Sequence, residues 1–302
     1  MNISKIIYAL PRFFRRHSTV RLLLGLFPNS QIQLVRFNQD SAQLFANITD
    51  PRIRNYFVKS EFDQAHFFDV AIPFLAKGGV FFDVGANFGF CSFGVMGALP
   101  QVEIKYHLFE ANADIYSALG QSASLYTDYT DRQIVINHCC VSDHEGVSKL
   151  NIVEDHLGAS FISEQGNYQI KNLVIDNYVE NSSINKINFM KLDIEGWEPL
   201  AIKGAMRTIQ NGTIDAIYTE VIDQNLSRSG YTSAAFIDML KAGGFELFYF
   251  KQSDLNHLSD SYLGDRFSLD INGYPVALAK LKGFPAEHHS DILAIHKNSG
   301  FI

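Results

Sequence analysis

The sequence predicts an open, mostly parallel α/β sheet with helices on both faces, and three observations carry that prediction. First, Val80–Phe93 (VFFDVGANFGFCSF) runs from an apolar stretch through a glycine turn into apolar residues at helical spacing, the pattern of buried strand, tight turn and helix. Second, Ile104–Glu110, Gln133–His138, Ile187–Asp193 and Ile214–Glu220 repeat that unit, with helical patterns between most of them. Third, Asp83, Glu110, Asp193 and Glu220 fall at or near the carboxyl ends of these strands, the edge where such sheets bind ligands. Phe245–Phe250 and Asp291–His296 complete seven expected strands, the last pairing antiparallel with the sixth.

Four segments carry a resemblance: FDVGANFGF (82–90), HLFEANADIY (107–116), CCVSDHEG (139–146) and, most specifically, MKLDIEGWEPLAIKGA (190–205). Through them, over roughly residues 60–225, the chain resembles the FkbM-type S-adenosylmethionine-dependent methyltransferases of the Rossmann-like class I fold. The resemblance implies S-adenosylmethionine as cofactor. Its amino-acid part would lie on the turn of Asp83, Gly85, Asn87 and Gly89. Its adenine would lie on a corner where Val141 gives apolar contact and Ser142 or Asp143 polar contact. Asp193 would lie near the sulfonium and the acceptor hydroxyl. By the same analogy the acceptor is a sugar, glycan or secondary-metabolite hydroxyl.

Taken in order, residues 1–60 read as a basic N-terminal extension and 61–302 as the methyltransferase domain. Residues 2–27 alternate apolar and basic positions in a helical manner, with Pro11 as a kink. Residues 1–39 hold Lys5, Arg12, Arg15, Arg16, Arg21 and Arg36 and no acid, a charge of +6 against −13 for the rest. Such a head can dock on its own body, touch anionic lipid as a peripheral membrane contact, or meet a partner. The overall charge of −7 argues against nucleic acid as a partner. No stretch reaches the ~18–20 apolar residues of a membrane span, Val20–Phe27 being the best. Pro11 and the arginines interrupt any signal-peptide pattern. Cys91, Cys139 and Cys140 form no disulfide framework and read as small buried thiols, so the expected location is cytoplasmic.

Ile32–Phe37 and Gln43–Ile48 are expected to pair as a hairpin. Glu61–Lys77 puts Phe62, Ala65, Phe68, Ile72 and Leu75 on one helical stripe, which Gly78 and Gly79 terminate. Glu110 lies 21 residues beyond Gly89, where an acid accepts hydrogen bonds from both ribose hydroxyls; it could instead cap the helix beginning near Asn112. Val147–Val153 should hairpin onto the end of the third strand through the turn Asp143–Gly146, which reads equally as a plain Asp-containing turn. Glu154–Glu164 reads as a polar loop over the site, with His156 either a general base or simply solvated.

Lys191 and Asp193 share one face of the fourth strand by its period of two. Asp193 could position the nucleophile, join Glu220 in a magnesium site, or cap the next helix; without a clear third ligand no metal is assigned. The candidate bases are Asp193, His156 and Lys191. Residues 251–290 form a long insertion with Tyr262, Phe267, Tyr274 and Phe284, read as a cover over the acceptor. Two rival functions stay open. One is a nicotinamide oxidoreductase, although Gly85-x-Asn87-x-Gly89 departs from G-x-G-x-x-G. The other is a non-catalytic binding protein.

Overall fold

The structure, a computed structural model, describes residues 32–37, 42–50, 53–54, 65–126, 134–153, 156–285 and 287–302, with the isolated positions 9–11, 18–19 and 22. The basic helix expected over residues 2–27 lies outside the described residues apart from those positions, and so do Phe62 and residues 154–155.

Among the described elements the first two, β1 (Ile32–Phe37) and β2 (Ala42–Asn47), form a hairpin. Then follow α1 (His66–Leu75), β3 (Gly79–Val84), α2 (Phe90–Ala98), β4 (Ile104–Glu110), α3 (Ala113–Ala123) and β5 (Ile134–His138). A side sheet uses β6 (Cys140–Val141), β7 (Gly146–Asn151), β8 (Phe161–Ile162) and β9 (Tyr168–Leu173). The main sheet resumes through α4 (Ile175–Asn181), β10 (Phe189–Leu192), α5 (Glu198–Lys203), α6 (Met206–Gln210), β11 (Ala216–Val221), α7 (Asp223–Leu226) and α8 (Ser233–Ala242). It ends with β12 (Phe245–Tyr249), α9 (Gln252–His257), β13 (Leu263–Ile271), β14 (Tyr274–Leu281) and β15 (Ser290–His296).

The strand order is β13-β14-β12-β15-β11-β10-β3-β4-β5, with β11, β10, β3, β4 and β5 parallel. β15 enters antiparallel between β11 and β12, the reversed edge expected from the sequence. All seven expected strands are present, but the sheet has nine. The 251–290 segment adds β13 and β14, and β14 pairs with the free side of β12.

Alternation along the strands sorts the core into two layers. Phe81, Tyr218 and Leu293 pack with α1, α2 and α3 on one face, while Phe82, Ile217 and Ile292 pack with α4, α5, α6 and α8 on the other. The buried stripe of α1 is Phe67, Val70, Ala71 and Phe74, one position removed from the expected Phe68 and Ile72, which are only partly buried.

The hairpin packs into the first of these core layers. Val35, Ala42, Leu44 and Ala46 are fully buried in the cluster that holds Phe93 and Leu119. Its backbone is fastened to α3: Ser122 Oγ accepts the Phe45 N–H at 2.8 Å, and Tyr126 Oη accepts from Gln43 N at 2.9 Å and donates to Gln43 O at 2.7 Å. In the side sheet β7 pairs with β8 and β9 rather than with β6, because β9 lies between them and runs parallel to β6. This corrects the expected hairpin of Val147–Val153 onto the third strand. Among the described residues no helix is long and apolar enough to cross a membrane.

Candidate active site

A cavity of about 370 Å³ opens at the carboxyl edge of β3, β4, β10 and β11, within the size range of small-molecule sites. Its floor is the turn after β3. Gly85 (φ 79°) and Asn87 (φ 50°) take left-handed conformations there, and a Cβ on Gly85 would run into the Asp193 carbonyl oxygen. Close approach of two strand ends thus requires glycine at that position.

The turn satisfies its own donors. Gly85 and Ala86 give their N–H to Phe109 O at 3.0 Å, Asn87 N–H goes to Glu110 Oε2 at 2.9 Å, and Phe88 N–H goes to Asn87 Oδ1 at 2.8 Å. Open donors for a ligand must therefore come from beyond the turn. There Gly89, the residue preceding α2, has no side chain with which to cap it.

Glu110 stands in the cavity wall, 9% exposed, and its second oxygen accepts Asn112 N–H at 2.8 Å. It clasps the glycine turn to the segment that follows β4, while Asn112 itself caps α3 by accepting from Asp114 N and Ile115 N. Burial raises its pKa, and the bonds from Asn112 and Asn87 oppose that rise. Two backbone bonds use half of the four or so lone-pair sites of a carboxylate, so acceptor capacity for a diol remains.

Lys191 is 3% exposed and sits among three oxygens: Gly85 O at 2.8 Å, Asp83 Oδ1 at 3.5 Å and Asp193 Oδ2 at 3.5 Å. Burial alone would discharge it, but Asp193 and Asp83 more than offset that and hold its pKa above the ordinary lysine value. A lysine kept as ammonium has no lone pair with which to take a proton. It fixes and neutralises Asp193 instead. Asp83 is fully buried behind the turn, where its Oδ2 accepts Ser92 Oγ–H at 2.6 Å.

The structure brings Gly85, Asn87, Glu110, Val141, His156, Lys191, Asp193 and Glu220 to the cavity. Asp83 and Gly89 support the turn from outside its lining. Ser142 and Asp143 are also outside: Ser142 Oγ accepts Trp197 Nε1–H at 3.3 Å, and Asp143 turns away to His144 Nδ1 at 2.7 Å. The corner is made by Cys139, Cys140, Val141, Leu150, Phe161 and Ile162. His156 belongs to a segment whose Gly158 lies so close to the Asn87 amide that a Cβ would clash with it.

Sequence reasoning missed Asp50 and Ile53, which reach the cavity from beyond β2. It also missed Glu195 and Trp197 as wall residues, although both stand in the segment DIEGWE and Trp197 is the sole tryptophan. Glu198 of the same segment is 2% exposed, and one of its oxygens accepts the N–H of Ile194 at 2.8 Å and of Gly196 at 3.2 Å. Burial pushes its pKa up to about 7 against the opposing effect of those bonds. Among the described residues no group of three or more His, Cys, Asp or Glu has the arrangement of a metal site.

A parallel sheet with a reversed edge, a glycine turn after its first core strand and acids along its carboxyl ends define a Rossmann-like class I methyltransferase. The model of the methyltransferase FkbM domain matches residues 83–247, and the chain belongs to that family. No curated protein gives a match. Similar solved structures include the methyltransferase FkbM of Methylobacillus flagellatus, 14% identical, TM-score 0.42, with 75% of this chain and 52% of that one covered. This chain therefore spans about half the length of that protein. Another is the precorrin-6y C5,15-methyltransferase of Geobacter metallireducens, 9% identical, TM-score 0.35, with 72% and 80% covered. A third is Pyrococcus horikoshii TYW2 in complex with MeSAdo, 8% identical, TM-score 0.36, with 92% and 83% covered.

Proposed function

We propose that the chain transfers the methyl group of S-adenosylmethionine to a hydroxyl oxygen of a sugar, glycan or secondary metabolite. The observation that carries this reading is one cavity that joins Glu110, the glycine turn, the apolar corner and Asp193. The donor set fits the cofactor. Glu110 offers lone pairs to two ribose hydroxyls, Cys139–Val141 with Leu150, Phe161 and Ile162 offer an apolar slot to a flat purine, and the acids offer countercharge to a cation.

S-adenosylmethionine brings a methyl group already activated by the positive sulfur. What remains for the chain is alignment, exclusion of water and acceptance of the hydroxyl proton. Asp193 is the group placed for the last task, since Lys191 fixes one of its oxygens and 20% of its side chain stays open to the cavity. His156, in the covering segment, is the second candidate. Trp197 and Phe161 close the wall against solvent, and Arg228, stacked 4.3 Å over Phe161, seals it from outside.

The test combines binding with turnover. S-adenosylhomocysteine should raise the melting temperature and NADH should not, and radiolabelled cofactor with fractionated extract should mark a hydroxyl-bearing compound. Asp193→Ala should lower label transfer at least about 100-fold, the usual range for a positioned acid or base, and Glu110→Ala should lower transfer by weakening the hold on the cofactor. Protection by NADH alone, or undiminished transfer by both variants, would end this reading.

A further inference from the structure

Asp193, Glu220 and Asp291 stand on neighbouring strands at the carboxyl edge, with Glu220 directly opposite Asp291 in the β11–β15 pairing. The cations that serve this row are engaged at its two ends. Lys191 is held by Asp193 and Asp83, each at 3.5 Å. His66 Nε2 lies 2.7 Å from Asp291 Oδ2, Lys251 Nζ lies 3.3 Å from the same oxygen, and Tyr218 Oη closes the group 3.2 Å from His66 Nε2. The next acid, Glu195, has Arg228 at 3.7 Å. Glu220, between the two ends, has no cation within ion-pair distance among the described residues, yet it lines the cavity.

The charged groups that face Glu220 are acids from three directions: Asp193 after β10, Asp291 on β15, and Glu195 and Glu198 from the turn leading into α5. Burial first and then these like charges push its pKa above the ordinary glutamate range, which favours the protonated form. Of the carboxyls in the cavity wall, Asp193 and Glu195 have cations beside them, Lys191 and Arg228. Among the described residues Glu220 is left without one.

We infer that Glu220 reads the charge of the cofactor, giving its proton to solvent when the bound sulfur is a methylated sulfonium and keeping it when the sulfur is a neutral thioether. The inference rests on the function proposed above. A unit positive charge within about 4–6 Å lowers a carboxyl pKa by about 1–3, which favours the ionised form of Glu220. The ionised carboxylate then holds the charged cofactor, and loss of the charge on methyl transfer weakens that hold on the product.

Calorimetric titration in buffers of different ionisation enthalpy counts the protons. S-adenosylmethionine should release more protons than S-adenosylhomocysteine at neutral pH. The ratio of their affinities should climb with pH, by up to about tenfold per pH unit, until Glu220 is ionised in both complexes. In Glu220→Gln both compounds should still bind, and the added release and the slope should vanish. The amino group common to the two compounds titrates in both proteins, so the difference between wild type and variant belongs to the carboxyl.

Equal proton release by the two compounds in the wild type would overturn the inference and leave the cofactor assignment standing. So would added release that persists in Glu220→Gln. Proton release by magnesium alone would assign the missing cation to a metal and overturn it too. Binding of neither compound would overturn the assignment and the inference together.

Discussion

Lys191 touches three oxygens from a buried position, so its charge is part of the packing as well as of the chemistry. Lys191→Met leaves Asp83 and Asp193 facing each other without a counter-ion. The expected cost is about 3–5 kcal/mol of stability, read by urea denaturation, with turnover lost beyond what unfolding explains. Glu198 gives a pH dependence of definite sign. Between the ordinary glutamate range and about 7 the folded chain holds a proton that the unfolded chain has released. Its contribution to unfolding free energy therefore falls as pH rises through that window, by at most about 1.4 kcal/mol per pH unit, and is restored toward acid. Glu198→Gln keeps the acceptor for Ile194 and Gly196 and should flatten this part of the profile in denaturation series; an unchanged profile would contradict the assignment. At this scale Asp83, Glu110, Asp193 and Glu220 were legible because each ends or nearly ends an apolar run. Asp50 and Ile53 were not, since nothing local marks a residue that the chain's tertiary path carries to a distant wall.

Two glycines show how the same substitution takes opposite signs in different elements. At Gly85, with φ 79° and the Asp193 carbonyl against the missing Cβ, alanine should cost more than about 2 kcal/mol and loosen the glycine turn from β10. At Gly120, exposed within α3 and with nothing within 4 Å of a new Cβ, alanine should add about 0.5–1 kcal/mol. Thermal melts of the two variants decide both. The seven core strands were legible as apolar runs broken by turn residues. β13 was not, because GDRFSLDI mixes charge and exposed apolar positions along an outer strand that buries little. Pairing of β7 with β9 was equally hidden, since a local turn signal cannot report that a third strand will come between two neighbours in sequence.

Over the whole molecule, the N-terminal hairpin joins the catalytic body through its core, and the chain beyond it supplies wall residues to the cavity. Leu44→Ala, fully buried in that core, should cost about 2–5 kcal/mol in a single cooperative transition shared with the rest of the fold. A separate early transition would show the hairpin to be an independent unit. The charge of residues 1–39 is a surface property, and nothing in it marks Val35, Ala42, Leu44 and Ala46 as positions that enter the interior. One topological detail governs how this interior is reached. β15 is translated after β11 and β12 and yet lies between them, so both must wait with bare backbone edges until Ser290–His296 arrives. Such waiting edges invite chain-to-chain pairing, which makes late refolding intermediates the species most prone to aggregate.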